Sequence, residues 1–280
     1  MELMERMPNW LGLWRELVEA HKRGRQAAGH PTEKEIWRSK ARGMDRDVQR
    51  LWAKPDLVRA FVLAQLDASA TVLDIGAGTG AWAALMARIA RQVTAVEPAE
   101  PMSEVMRERL VAEAIFNVTI LEECWPEALV EPHDYSLCSH AMYGAVDLAT
   151  FVRRMNEVTR RTCFFIIRAP ALDGVMAEAA AHVWGHPHDS PNFVVAFNAL
   201  LEMGIHANVL MGEPDLWEPW SHPTLGDALT EIKWRLDLVR DDRHDLFLAD
   251  LLRRRLRLQD GRYVWPGGMR TALMYWPGRA

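Results

Sequence analysis

Apolar residues along the chain change their period in a regular order. Near the amino terminus they recur every three to four positions: Trp10, Leu13, Trp14, Leu17 and Val18 behind a cap at Asn9. They do so again at Ile36, Trp37, Met44, Val48, Leu51 and Trp52 behind Thr32 and Glu35, which have the spacing of a capping box. These stripes predict helices, each with one buried face. Pro55 closes the second, and Asp56 opens a third that carries Leu57, Val58, Phe61, Val62 and Leu66. From residue 71 short apolar runs at 72–75, 93–96, 118–121, 135–139 and 163–167 alternate with helical stripes. The stripes are Trp82, Leu85, Met86 and Ile89; then Val105, Met106 and Leu110 after Pro101; then Phe151, Val152, Met155 and Val158 after Asp147. Strand and helix in alternation predict a parallel sheet with right-handed crossovers, and the wholly apolar CFFII at 163–167 predicts a strand buried on both faces.

The alternation breaks after residue 169. Two helical stretches flank the turn-rich HPHDSPN at 186–192, where Ser190 and Pro191 read as a helix start and Gly204 as a stop. A sixth strand is expected at 205–211. A proline- and tryptophan-rich loop follows, then a helix capped by Thr224, another through Leu246, Leu248, Leu251, Leu252 and Leu256, and a last strand at 270–275. No repeat or low-complexity segment interrupts this order.

The chemistry concentrates in TVLDIGAGTG at 71–80, where Val72, Leu73 and Ile75 end in Gly76, Gly78 and Gly80. Strand, tight glycine loop and helix in succession suit a nucleotide-like ligand, because backbone without Cβ approaches it closely and the first helical amides face it. Two ligands compete for that loop. GAGTGA satisfies the dinucleotide pattern, which would make the protein a nicotinamide-dependent oxidoreductase. Asp74 opposes this, since a carboxylate two residues before Gly76 points the same way. It is awkward beside a pyrophosphate and well matched to a ligand carrying an ammonium and a sulfonium.

VLDIGAGTG, followed about twenty residues on by the acid-terminated VTAVEP at 93–98, resembles motif I of the class I S-adenosylmethionine-dependent methyltransferases. The resemblance implies an α/β fold: a Rossmann-like, doubly wound, mostly parallel seven-stranded sheet with an antiparallel last strand. It frames one domain, with an amino-terminal helical cap (1–55), a cofactor-binding core (56–170), a sixth strand with helical insertions (171–260) and the last strand (261–280). Cap and insertions are expected to cover the carboxyl ends of the strands. Asp74 and the backbone at Gly76, Gly78 and Gly80 would hold the methionine end of S-adenosylmethionine, and Glu97 the ribose hydroxyls. Glu123, Cys124 and Trp125 occupy the adenine position, with Cys124 where the family usually has Asp and Trp125 available to flank the ring. Ser139 ends the fourth strand, where methyl group and acceptor meet. There the sequence reads CSHAMY, without the NPPY-like tetrapeptide of the amino-methylating enzymes and without the proline that follows the cysteine of the cytosine-methylating ones. His140 is the candidate base, able to take a proton from a hydroxyl or amine; its competing role is a buried histidine bonded to backbone. Tyr143 either orients the acceptor or packs.

Composition then limits the partners. At 280 residues with 49% hydrophobic and 25% charged, the chain is long enough for one large domain, and its net charge of −5 disfavours a nucleic-acid substrate. No run of eighteen uncharged apolar residues appears, so no membrane partner is expected, and the chain reads as cytoplasmic. Cys124, Cys138 and Cys163 lack CxxC spacing and suit a reducing compartment. His182, His186, His188 and Asp189 invite a metal, but Pro187 breaks the helical spacing between them, and no metal site is expected. Trp184, Trp217, Trp220 and His222, among 12 tryptophans, line a pocket or pack. RRRLR at 253–257 reads as the wet face of a helix. The combined expectation is methyl transfer from S-adenosylmethionine to a small organic molecule, with S-adenosylhomocysteine as product. A non-catalytic module that binds S-adenosylmethionine is the other alternative. No feature specifies an oligomeric state.

Overall fold

The computed structural model describes residues 9–31, 33–214 and 217–280. Its helices are α1 (Trp10–Ala27), α2 (Glu33–Trp52), α3 (Leu57–Ala64), α4 (Ala81–Ala87), α5 (Glu100–Ala112), α6 (Leu148–Glu157), α7 (Val175–Trp184), α8 (Phe193–Glu202), α9 (Leu225–Arg235) and α10 (Asp245–Arg255). Its strands are β1 (Thr71–Ile75), β2 (Gln92–Val96), β3 (Val118–Leu121), β4 (His133–Ser139), β5 (Thr159–Ala169), β6 (Asn208–Met211), β7 (Ser221–His222), β8 (Arg257–Gln259), β9 (Arg262–Val264) and β10 (Arg270–Pro277). The described residues divide into two compact units: a core unit of 33–167, 203–213 and 271–280, and a second unit of 9–31, 168–202, 214 and 217–270. α1 therefore belongs to the second unit and α2 to the core.

In the core unit the strands order as β3-β2-β1-β4-β5-β10-β6, with β1 parallel to both β2 and β4 and β10 antiparallel to β6. This is the mostly parallel seven-stranded sheet that the resemblance implies. The chain winds outward from β1 to β3 and then returns to β4, so a crevice opens where the order reverses, beyond the carboxyl ends of β1 and β4. Val72, Ala95, Leu137 and Phe164 are at most 1% exposed within one apolar cluster, and the CFFII segment of β5 is buried throughout. Asp56 caps α3 by accepting the Val58 and Arg59 amides at 2.8 and 3.1 Å, and Asp147 caps α6 through Thr150. The capping box expected at Thr32 and Glu35 falls on Thr32, outside the described residues. α4 stops at Ala87, short of Ile89 at the end of its apolar stripe, where the Asn117 side-chain amide donates to the Ala87 and Ala90 carbonyls at 2.8 and 3.0 Å and ties the helix end off. The sixth strand pairs only from Asn208.

The second unit is built around α7, α9 and α10, whose Ala179, Ile232, Leu248 and Leu251 are fully buried. Asn9 caps α1 at the Gly12 amide, and Thr224 and Asp227 form the capping box of α9. One sequence expectation fails here and a second is extended. Asn192, rather than Ser190, opens α8, its side-chain Oδ1 accepting the Val194 and Val195 amides at 3.0 and 3.3 Å. RRRLR is more than a wet face: Arg255 pairs with Glu178 at 2.7 Å and donates to the Asp173 carbonyl at 2.6 Å, while Arg257 begins β8. The antiparallel sheet β7-β9-β8 was not foreseen. Its signal is present, since β8 and β9 are joined by Asp260 and Gly261, both at positive φ (49° and 74°), the geometry that favours Asp-Gly in a two-residue hairpin. Among the described residues no helix is long and apolar enough to cross a membrane.

Candidate functional site

The parallel register brings the candidate residues of the core unit to one edge. Ile75 lies opposite Val96 and Cys138, Val96 opposite Leu121, and Ser139 opposite Ile166, so Gly76, Glu97, Glu123 and Ser139 all follow strand ends on the same side of the sheet.

The glycine loop turns three times through the left-handed region, with φ of 69° at Gly76, 58° at Gly78 and 77° at Gly80. The space around the three differs. A Cβ on Gly76 would lie 2.2 Å from the Ala141 Cβ, so this glycine lets the loop after β4 close against the loop after β1. A Cβ on Gly80 would meet the Met106 side chain at 2.3 Å, whereas one on Gly78 would meet no atom within 4 Å. Gly78 therefore borders open space at the centre of the loop.

Two acids face this loop. Asp74 is 1% exposed, and its Oδ2 has no hydrogen-bond partner. Burial first, and the neighbouring Glu97 charge second, push its carboxyl up to about 7. Glu97 is 7% exposed and accepts the Gly78 amide at 2.8 Å and the Ala99 amide at 2.9 Å. Burial raises its pKa, and the two amides partly offset the rise. Glu97 thus holds the glycine loop in place, each oxygen retaining a lone pair for a further donor.

His140 and Tyr143 form a pair just beyond β4. His140 is half-buried at φ 57°, a left-handed conformation that is uncommon for a residue with a side chain, and its amide donates to the Ile166 carbonyl at 3.0 Å. Its Nδ1 lies 2.8 Å from the Tyr143 hydroxyl, and the rings stack at 6.0 Å with an interplanar angle of 22°. The fully buried Met142 anchors the turn between them. Cys138 is buried, with its thiol pushed up by burial, and this removes it as a nucleophile; burial likewise pushes Cys163 up to about 12.

The residues expected near adenine are less concentrated. Glu123 is exposed and accepts the Leu129 amide at 3.1 Å, Cys124 is exposed, and Trp125 donates its indole N–H to the Phe151 carbonyl at 3.2 Å while its ring packs edge-on against Phe151. The neighbouring Glu122 is bonded to Ser103 and Arg107 of α5 at 2.5 and 2.6 Å. Sequence reasoning missed Arg109. This α5 residue donates to the Thr79 carbonyl at 3.1 Å and pairs with Asp45 of α2, fixing the glycine loop from outside. No periodicity marks either residue, since both look like ordinary helix-surface charges.

In the second unit the histidine cluster disperses. His182 stacks on Phe247 at 3.7 Å, whereas His186 lies between Trp184 and His188 at 5.8 and 5.9 Å. Among the described residues no group of three or more His, Cys, Asp or Glu side chains is placed to hold a metal. His222 accepts the Trp265 indole N–H at 2.9 Å, and Trp220 packs on Trp265 at 5.4 Å.

Residues 72–162 match a family model described as a methyltransferase domain. This stretch of the core unit is similar to a methyltransferase domain. Its match spans β1 through most of β5, the stretch that carries Asp74, the glycine loop, Glu97, His140 and Tyr143. Solved structures share the domain's fold at low identity. The YcgJ protein of Bacillus subtilis superimposes with a TM-score of 0.54 at 16% identity, over 80% of this chain and 98% of its own. A putative methyltransferase of Bacillus halodurans gives 0.53 at 16%, over 78% and 97%. A SAM-dependent methyltransferase of Thiobacillus denitrificans, solved in complex with S-adenosyl-L-homocysteine, gives 0.51 at 15%, over 79% and 91%. No curated protein matches the chain.

Proposed function

We propose that the protein transfers a methyl group from S-adenosylmethionine to a small organic acceptor. The observation that carries this reading is Asp74: a carboxyl buried at the end of β1, with one oxygen unpartnered, beside a glycine loop whose middle residue borders open space. That arrangement fits the cofactor, because a cationic ammonium would satisfy the orphaned oxygen and the space beside Gly78 admits a ligand that any side chain would fill. When bound, S-adenosylmethionine supplies a methyl group on a sulfonium, already activated for transfer to a nucleophile.

The chain's own groups then have three tasks. Asp74 binds the amino-acid end of the cofactor as a carboxylate. Since its pKa stands near 7 without a ligand, it must release its proton to pair with a cation, so affinity falls as pH drops below about 7. Glu97, fixed by the Gly78 and Ala99 amides, presents its remaining lone pairs to a diol. His140 removes the acceptor's proton, its ring oriented by Nδ1 lying 2.8 Å from the Tyr143 hydroxyl. The net charge of −5 favours a small acceptor over a nucleic acid.

Calorimetry with S-adenosylhomocysteine and with NAD tests the cofactor. Binding of the homocysteine compound, weakened at least about tenfold in Asp74→Ala and in Glu97→Ala, is expected. Tight NAD binding without it would overturn the reading in favour of an oxidoreductase. Transfer of labelled methyl from S-adenosylmethionine into a small-molecule cell extract distinguishes an enzyme from a binding module.

A further inference from the structure

The second unit holds a cleft of about 1100 Å³, open solvent included, that the methyl-transfer reading does not use. Its walls come from segments far apart in sequence and are largely apolar, with Val175, Met176, Trp217, Trp220, Trp265 and Met269 among them. Four charged side chains also line it: Arg168, Asp189, Glu218 and Arg235.

Arg235 is the built element. Its side chain is only 13% exposed, and its guanidinium carbon lies 4.2 Å from the centre of the Trp220 ring and 4.6 Å from that of Trp234. Nε donates to Glu231 at 2.6 Å. Two indoles and one carboxylate thus fix the plane and direction of the fork. That single bond leaves Nη1 and Nη2 without an acceptor among the described residues, on a side chain that lines the cleft. Asp189, 7% exposed, accepts the Ser190 hydroxyl at 3.3 Å and stops short of an ion pair with Arg235, although it is close enough for the charges to interact. Donors held in one plane at the wall of a cleft suit a planar oxyanion, which takes two of them at once.

We infer that this cleft binds a flat, largely apolar organic acid, its carboxylate received by the Nη edge of Arg235, its body against the indoles, and a hydroxyl or amino donor directed to Asp189. The site is complete within the second unit and does not rest on the methyl-transfer reading.

The test titrates the intact protein with para-hydroxybenzoate, para-aminobenzoate and indole acetate, and with the neutral amide of each, following tryptophan fluorescence and heat. At least one acid is expected to saturate the protein, with its amide weaker by about tenfold or more. Arg235→Lys keeps the charge but loses the parallel donors, so it should erase most of the preference for acid over amide. Asp189→Asn should weaken the hydroxy and amino acids more than indole acetate. The inference is overturned by equal affinity for acid and amide, by undiminished preference in a folded Arg235→Lys protein, or by the absence of saturable binding of any acid. S-adenosylhomocysteine titrated into the same samples reports on the core unit, so failure of the acids with that binding intact counts against the cleft alone.

Discussion

Asp74, buried in the core unit, and His21, half-buried in the second unit, each have one buried polar atom lacking a partner, and burial moves them in opposite directions. Asp74 is pushed up to about 7, chiefly by burial and then by Glu97. His21 is pushed down to about 3, chiefly by burial and then by Arg235, Arg168 and Arg25. In both cases the low dielectric suppresses the charged form, and the neighbours add to the effect because they carry the same sign as that form. The difference teaches what each region is prepared to receive. Two acids around a glycine loop await a cation; arginines around an aromatic cleft await an anion.

The largest expected effect breaks this comparison by pH. Asp74 gains a proton on folding between its ordinary 3.8 and about 7, so its contribution favours the folded state below that window and is lost as pH rises through it. His21 loses a proton on folding between its ordinary 6.5 and about 3, so its contribution rises with pH across nearly the same range. Each gap corresponds to about 4–5 kcal/mol at most. Denaturant unfolding followed from pH 4 to pH 7 should therefore show a stability that rises with pH in Asp74→Asn, where His21 dominates, and falls with pH in His21→Phe. Matching slopes in the two variants would sink the opposition.

Next in size is the catalytic contrast within the core unit. His140→Asn keeps a residue that tolerates the left-handed backbone while removing the base. It should lower kcat about a hundredfold, or about 2.7 kcal/mol, and leave S-adenosylhomocysteine affinity unchanged. A variant that loses affinity and keeps kcat would assign His140 to binding. Smaller again is the contrast between glycines. Gly76→Ala must displace Ala141 and adopt a positive φ, at about 3 kcal/mol by thermal unfolding, whereas Gly78→Ala meets only the backbone cost of about 1–2 kcal/mol. Gly78→Ala should nevertheless weaken S-adenosylhomocysteine by about tenfold, since its methyl enters the open space; equal stabilities with unaffected binding would remove the cradle from the argument. The smallest effect is expected at Arg254, half-exposed beside Asp250 and Glu178: Arg254→Ala should leave the midpoint of denaturant unfolding almost unchanged.

What could be read in advance follows the range of the interactions. Strand, loop and helix around TVLDIGAGTG, the caps at Asp56, Asp147 and Thr224, and the doubly buried β5 depend on residues within a few positions of one another, where covalent geometry and period decide the outcome. The Asp260-Gly261 hairpin belonged to the same class and was equally legible. Glu123 and Trp125 were harder, because the loop after β3 has no period and its side chains turn to Leu129 and Phe151.

By itself, then, the sequence determined the parallel sheet and the acid-rich edge with Asp74 and Glu97, because motif spacing along a strand fixes which side chains share its end. Only the tertiary structure decided that Ala141 closes against Gly76, that Arg109 and Asp45 brace the Thr79 carbonyl, and that Trp220, Trp234 and Glu231 immobilise Arg235 beside Asp189. These groups lie on elements far apart in the chain. Their chemistry exists only once packing has set the distances and the burial that make a charge costly or useful.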